Sequence, residues 1–148
     1  MKQHLIFVVI LLVTLSMVNA IPYYQLDKRA TTFGPCPEGS LPILTVTLQP
    51  DPPVPGQDCT VAVTGTIDSG INPGATLVVS AHDGASKVIS TLAAVDICSS
   101  GVTCPTTSLS VTTTIPIDAS LPATYSISIA IMDENKAFVS CSYGTITG

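Results

Sequence analysis

The sequence predicts an all-β domain, an immunoglobulin-like β-sandwich of two antiparallel sheets. Three observations predict it. Short spans rich in Val, Ile and Thr alternate apolar and polar residues with period two. Each span is closed by Pro, Gly, Asp or Asn. No stretch carries the periodicity of an amphipathic helix of useful length, and there is no internal repeat. Seven or eight such spans with turn signals between them suit a sandwich of this class.

The elements follow in order. Leu44, Val46 and Leu48 alternate with Thr45 and Thr47 until residues 50–56, rich in Pro and Gly, break the run. Cys59, Val61 and Val63 alternate with Thr60, Ala62 and Thr64. Asn72-Pro73-Gly74 is a turn, after which residues 75–81 form a nearly unbroken strand of small apolar side chains. Val88, Ser90 and Leu92 mark a weaker strand, followed by a loop over residues 96–105. Leu109, Val111, Thr113 and Ile115 give the next strand. Tyr125, Ile127, Ile129 and Ile131 alternate with Ser126, Ser128 and Ala130 in the cleanest period-two run of the chain. Asp133-Glu134-Asn135-Lys136 makes a hairpin turn, and residues 138–146 return as the final strand.

Alternation puts each apolar set on one face, so two sheets can bury those faces against each other. After residue 29 the chain has no Trp, and its aromatic residues are Phe33, Tyr125, Phe138 and Tyr143. The inner faces are therefore mostly Val, Ile, Leu and Ala. Such side chains either close a core or line a smooth apolar cavity, and composition does not separate the two.

The N-terminus reads as a leader. A basic start at Lys2, an apolar run from Leu5 to Val13 and the ending Val18-Asn19-Ala20 describe a secretory signal peptide over residues 1–20. A membrane anchor is the alternative, but it needs roughly 20 apolar residues, and Thr14, Ser16 and Asn19 interrupt this run. Residues 21–29 end in Lys28-Arg29, either a dibasic processing site that closes a short propeptide or an ordinary charged pair. Residues 30–148 then form one domain of 119 residues. Over that stretch Lys87 and Lys136 oppose nine carboxylates, for a net charge of −7. Nucleic-acid binding needs a positive footprint to displace counterions, so it is excluded. An anionic membrane repels such a chain on average, so any lipid contact must be mainly apolar or made with a neutral surface.

Five cysteines follow the leader, and in an exported domain of this size they read as a disulfide framework with one thiol left over. A metal site would want paired short spacings or nearby His, and His82 is the one histidine of this stretch. Cys98 and Cys104 can pinch the loop that contains them. A bridge between Cys36 and Cys141 would tie the first segment to the last strand, with roughly 4–5 kcal/mol of loop-closure stabilisation. Cys59 is then the odd one, a buried thiol on a strand or the source of an intermolecular disulfide.

Catalytic signals are weak. His82 is adjacent to Asp83, but neighbours along a strand point to opposite faces, so Asp83 is poorly placed to orient it. His82 reads as a strand-end residue. No Gly-x-Ser-x-Gly elbow and no Gly-rich phosphate loop occur, and Asp133 and Glu134 sit where a turn favours acidic residues. No catalytic constellation, cofactor or metal is expected, and the chain does not read as an enzyme.

Several stretches together resemble the ML lipid-recognition family, and in particular the fungal phosphatidylglycerol/phosphatidylinositol transfer proteins, relatives of the Niemann–Pick type C sterol carriers. They are Pro50-Asp51-Pro52-Pro53-Val54-Pro55-Gly56 followed by Thr60-Val61-Ala62-Val63-Thr64-Gly65, then Ile71-Asn72-Pro73-Gly74-Ala75. Further on come Asp96-Ile97-Cys98 with Cys104-Pro105, Ile115-Pro116 and Leu121-Pro122-Ala123-Thr124-Tyr125. The Ile-rich strand into Asp133 and Cys141-Ser142-Tyr143-Gly144 complete the set, which spans residues 33–148. The resemblance implies an apolar cavity between splayed sheets that admits a phospholipid or sterol. It also implies the bridges Cys36–Cys141 and Cys98–Cys104. The expected lining is the inward set of the clearest strands: Val61, Val63, Leu77, Val79, Val111, Tyr125, Ile127, Ile129, Ile131 and Phe138. Two departures stand out: Cys59 replaces an ordinary apolar residue, and Thr106-Thr107-Ser108 lacks an expected glycine. The implied protein is a monomeric lipid carrier, secreted or delivered to a vacuolar lumen, that touches membranes transiently. The competing expectation is an exported interaction module of the same fold with a filled core and no lipid.

Overall fold

The computed structural model describes residues 30–37 and 39–147. The leader and propeptide expected over residues 1–29 lie outside the described residues. Eight strands follow one another: β1 (Phe33–Pro35), β2 (Thr45–Gln49), β3 (Asp58–Ile71), β4 (Thr76–His82), β5 (Val88–Asp96), β6 (Thr106–Pro116), β7 (Thr124–Met132) and β8 (Phe138–Thr147). They form two antiparallel sheets, one of five strands in the order β1-β8-β7-β4-β5 and one of three in the order β2-β3-β6. The sandwich expected from alternation is the fold observed.

Strand β1 is too short to show alternation. It pairs with β8, placing Phe33 opposite Gly144. A Cβ at Gly144 would come within 2.9 Å of the Phe33 ring, so glycine is what lets that ring lie against β8. Two hairpins of the larger sheet share one turn chemistry. In each an aspartate accepts two backbone N–H groups: Asp83 from Ala85 and Lys87, Asp133 from Asn135 and Ala137. Each turn then passes through a left-handed residue, Ser86 at φ 62° and Lys136 at φ 66°.

The core is one cluster between the sheets. From the smaller sheet it takes Leu48, Cys59, Val61, Val63, Ile67, Leu109, Val111 and Ile115; from the larger, Leu77, Val79, Ala81, Tyr125, Ile127, Ile129, Ile131 and Ile146. Two fully buried serines interrupt this apolar set on β8, Ser140 and Ser142. Both are satisfied by the segment that leads into β2. The Ser140 hydroxyl donates to the Pro42 carbonyl at 2.7 Å, and Ser142 bonds both backbone groups of Leu44. The Cys141 N–H adds a bond to the Pro42 carbonyl at 3.1 Å. Buried polar groups are tolerated where they are paired, and here the pairing stitches one margin of the sandwich together.

Two disulfides reinforce the frame. Cys36–Cys141 joins the N-terminal segment to β8, and Cys98–Cys104 closes the loop between β5 and β6. Cys59 is a free thiol with no exposed surface, so it is not available for an intermolecular bridge.

Candidate functional site

The inner faces come first, because alternation along the strands points to them. Nine of the ten expected lining residues lie there: Val61, Val63, Leu77, Val79, Val111, Tyr125, Ile127, Ile129 and Ile131. None exposes more than 3 % of its surface. Contact that complete leaves no gap as wide as an acyl chain beside these side chains, so the apolar cavity implied by the resemblance is closed. The inventory accounts for this: short branched side chains from two facing sheets are able to close a core without leaving voids.

Phe138 lies elsewhere. Counting back from Ile146 by twos puts it on the inner face. The register of β7 and β8 shifts, however, between the pairs Ile131–Ser140 and Met132–Phe138. That bulge turns Phe138 outward, where 59 % of it is exposed. Alternation alone carries no signal for such an insertion.

One polar group disturbs the interior. The Tyr125 hydroxyl is buried with no hydrogen-bond partner. Burial, with a smaller contribution from the nearby Cys59 thiol, pushes its pKa up to about 12. Burial likewise raises the Cys59 thiol, whose Sγ lies 3.6 Å from the Pro50 carbonyl. The two groups mark one end of the sandwich, at the start of β3 and β7.

A second feature lies on the opposite, outer face of the five-stranded sheet. A half-open trough of about 300 Å³ is lined by Val78, Ser80 and His82 of β4, Ser128, Ala130 and Met132 of β7, and Phe138, Cys141 and Tyr143 of β8, together with Cys36, Pro37, Leu41, Ser86 and Val88. Its floor is an orderly cross-strand array. Val78 pairs with Ala130 and Ser80 with Ser128; Ala130 in turn pairs with Cys141 and Ser128 with Tyr143. His82 stands at the polar end, its Nδ1 3.1 Å from the Ser86 carbonyl and its Nε2 2.7 Å from the Ser128 hydroxyl. The Tyr143 ring meets His82 edge-on at 5.6 Å, and its hydroxyl lies 3.5 Å from that of Ser86. Asp83 is occupied with its own turn and does not orient His82, as strand geometry led one to expect. The partner of His82 is Ser128, forty-six positions away, which sequence spacing does not reveal. A signal for the trough does exist: Leu77-Val78-Val79 and Ile129-Ala130-Ile131-Met132 are apolar at outward as well as inward positions. Among the described residues no group of three or more His, Cys, Asp or Glu side chains converges as metal ligands do.

The profile of the family described as ML domain (E1_DerP2_DerF2) matches residues 30–147, the whole of the sandwich. The chain belongs to the ML-domain family. No curated protein matches this ML domain. Among solved structures it is similar to a Niemann-Pick type C2 protein from Japanese carpenter ant, at 15 % identity and a TM-score of 0.60, over 78 % of this chain and 97 % of that one. Chicken MD-1 complexed with lipid IVa matches at 13 % identity and a TM-score of 0.46, over 78 % of this chain and 87 % of the other. At these identities the likeness to the ant protein bears on the fold alone.

Proposed function

We propose that this ML domain is a secreted carrier that binds a lipid between its two sheets and transfers it without covalent chemistry. The lipid is a phospholipid of the phosphatidylglycerol or phosphatidylinositol kind, or a sterol. The observation that carries this reading is the inner surface: two faces made mostly of small aliphatic side chains, on which Ser140 and Ser142 are hydrogen-bonded, with one unpaired hydroxyl, Tyr125, and no buried charge among the described residues. Membership in the ML family supports it.

Because the faces touch, uptake requires them to part, and the ties between the sheets are unequal. One margin is held by the bonds from Pro42 and Leu44, on the segment leading into β2, to β8. At the other margin β5 and β6 are the free edges of their sheets; the loop closed by Cys98–Cys104 connects them at one end, and among the described residues no hydrogen bond joins the strands themselves. Opening on the β5–β6 side keeps the stitched margin as hinge. Side chains that lose contact with each other regain it with the tail, so little dispersion energy is forfeited. Withdrawing the tail from water adds about 0.8 kcal/mol per methylene, whereas exchange with a membrane is nearly balanced. A transfer protein needs that balance, since it must release what it takes up.

The closed interior favours a second reading, an exported interaction module with a filled core. Native mass spectrometry of the purified protein after incubation with neutral vesicles doped with phosphatidylglycerol, phosphatidylinositol or a sterol separates the two. One-to-one lipid adducts are expected. Absence of any adduct, together with failure to take up a fluorescent phospholipid, would leave the module.

A further inference from the structure

The outward face of an antiparallel sheet is ordinarily polar, yet the centre of this one is not. Val78, Ala130, Met132 and Phe138 make one end of the outer trough apolar, while His82, Ser128, Ser86 and Tyr143 gather at the other. Phe138 and Val88, two large hydrophobic side chains more than half exposed, are part of its lining. A contiguous apolar surface of this kind, ending in convergent polar groups, is how small-ligand sites are built. We infer that the trough is a second binding site, separate from the space between the sheets, for a small neutral amphiphile bearing one hydroxyl group.

The chemistry of the polar end selects that ligand. The Ser86 carbonyl can only accept, so Nδ1 of His82 carries the proton that faces it. In the neutral imidazole Nε2 then has a lone pair, and the Ser128 hydroxyl donates to it at 2.7 Å. With its proton committed, Ser128 has acceptor capacity left for an incoming donor. The Tyr143 and Ser86 hydroxyls share one hydrogen bond at most, which leaves one of their protons to donate. An alcohol can donate to the first and accept from the second. A carboxylate lacks the donor and meets the oxygen lone pairs of Ser128; an alkane satisfies neither. The described lining contains no Asp, Glu, Lys or Arg, so a neutral partner is favoured again. At about 300 Å³ the trough is at the small end of ligand pockets, which run from roughly 300 to 1,000 Å³.

Binding rather than catalysis follows from where Ser128 stands. It lies mid-strand on β7, between β4 and β8, so the neighbouring backbone N–H groups serve the sheet and not an oxyanion.

Amide-resolved NMR titration of the purified protein with 1-decanol, decanoate and decane tests this. With decanol, shifts should centre on Ser80, Ser128, Ala130 and Tyr143. Ala130→Leu, which fills the floor from an outward-facing position, should abolish them. Ser128→Ala should weaken decanol about three- to tenfold, the loss of one ordinary hydrogen bond. Decanoate and decane should bind more weakly than decanol. The inference is overturned if decanol shifts nothing, or shifts Val63 and Val111 of the inner faces instead. Survival of binding in Ala130→Leu would overturn it too, as would equal binding of the three probes. Each result reads independently of lipid uptake between the sheets.

Discussion

The Ser142 hydroxyl accepts a hydrogen bond from the Leu44 N–H at 2.7 Å and donates one to the Leu44 carbonyl at 3.0 Å. One side chain of β8 thus satisfies both backbone groups of a residue ninety-eight positions away, at the entrance to the opposite sheet. Ser142→Ala strands a buried donor and a buried acceptor, each worth about 1–3 kcal/mol when unmet. The variant should lose about 2 kcal/mol or more in urea unfolding. Ser126→Ala, which removes a bond to Thr145 on the outer face, should lose less than about 1 kcal/mol.

Tyr125 makes the opposite prediction. Its hydroxyl is buried without a partner, so Tyr125→Phe removes a desolvated polar group and keeps the ring. The variant should be as stable as the parent or more so. The pH dependence has a definite sign. The folded pKa of about 12 lies above the ordinary value of 10.0, so between the two the unfolded chain loses its proton first. Stability from this group is complete below pH 10 and is lost as pH rises towards 12. Alkaline unfolding followed by circular dichroism should begin later in Tyr125→Phe.

Cys59 should be inert in the folded protein. Burial raises its pKa and removes it from solvent, and the thiolate is the reacting form. Ellman's reagent should titrate no thiol in the native protein and one thiol in guanidinium, because the other four described cysteines are bridged. Rapid native labelling would contradict the packing at the start of β3.

The two disulfides should differ in weight. Cys36–Cys141 closes a loop with a sequence separation of 105, Cys98–Cys104 one of 6. Loop-closure entropy gives about 4–5 kcal/mol for the first and roughly 2 kcal/mol for the second. Double Cys→Ala replacement of the first pair should therefore lower the denaturation midpoint about twice as far as replacement of the second.

Strand positions and faces were legible where period-two alternation is clean, in the first half of β3 and in β6 and β7; β4, a nearly unbroken apolar run, showed its position but not its inner face. Residues such as Val61, Val111 and Ile129 could be placed on the inner face from sequence alone. Phe138 could not, since a bulge is set by backbone pairing and inverts the count behind it. Strand β1 is too short to alternate and is held by pairing with β8. The closed gap was also illegible: Val, Ile and Leu serve a packed core and a lipid lining equally well. The outer trough depends on His82 and Ser128 meeting across two strands, a relation that exists only once β4 and β7 pair.

The central claim is that the β5–β6 edges part and a lipid tail enters between the sheets. Photo-crosslinking with a phospholipid that carries a diazirine near the end of its acyl chain, followed by peptide mapping, addresses it most directly. The account predicts labels on the inward residues of β3, β6 and β7, among them Val63, Val111 and Ile129. Labels confined to the outer face, or no labelling above that of a denatured control, would contradict it.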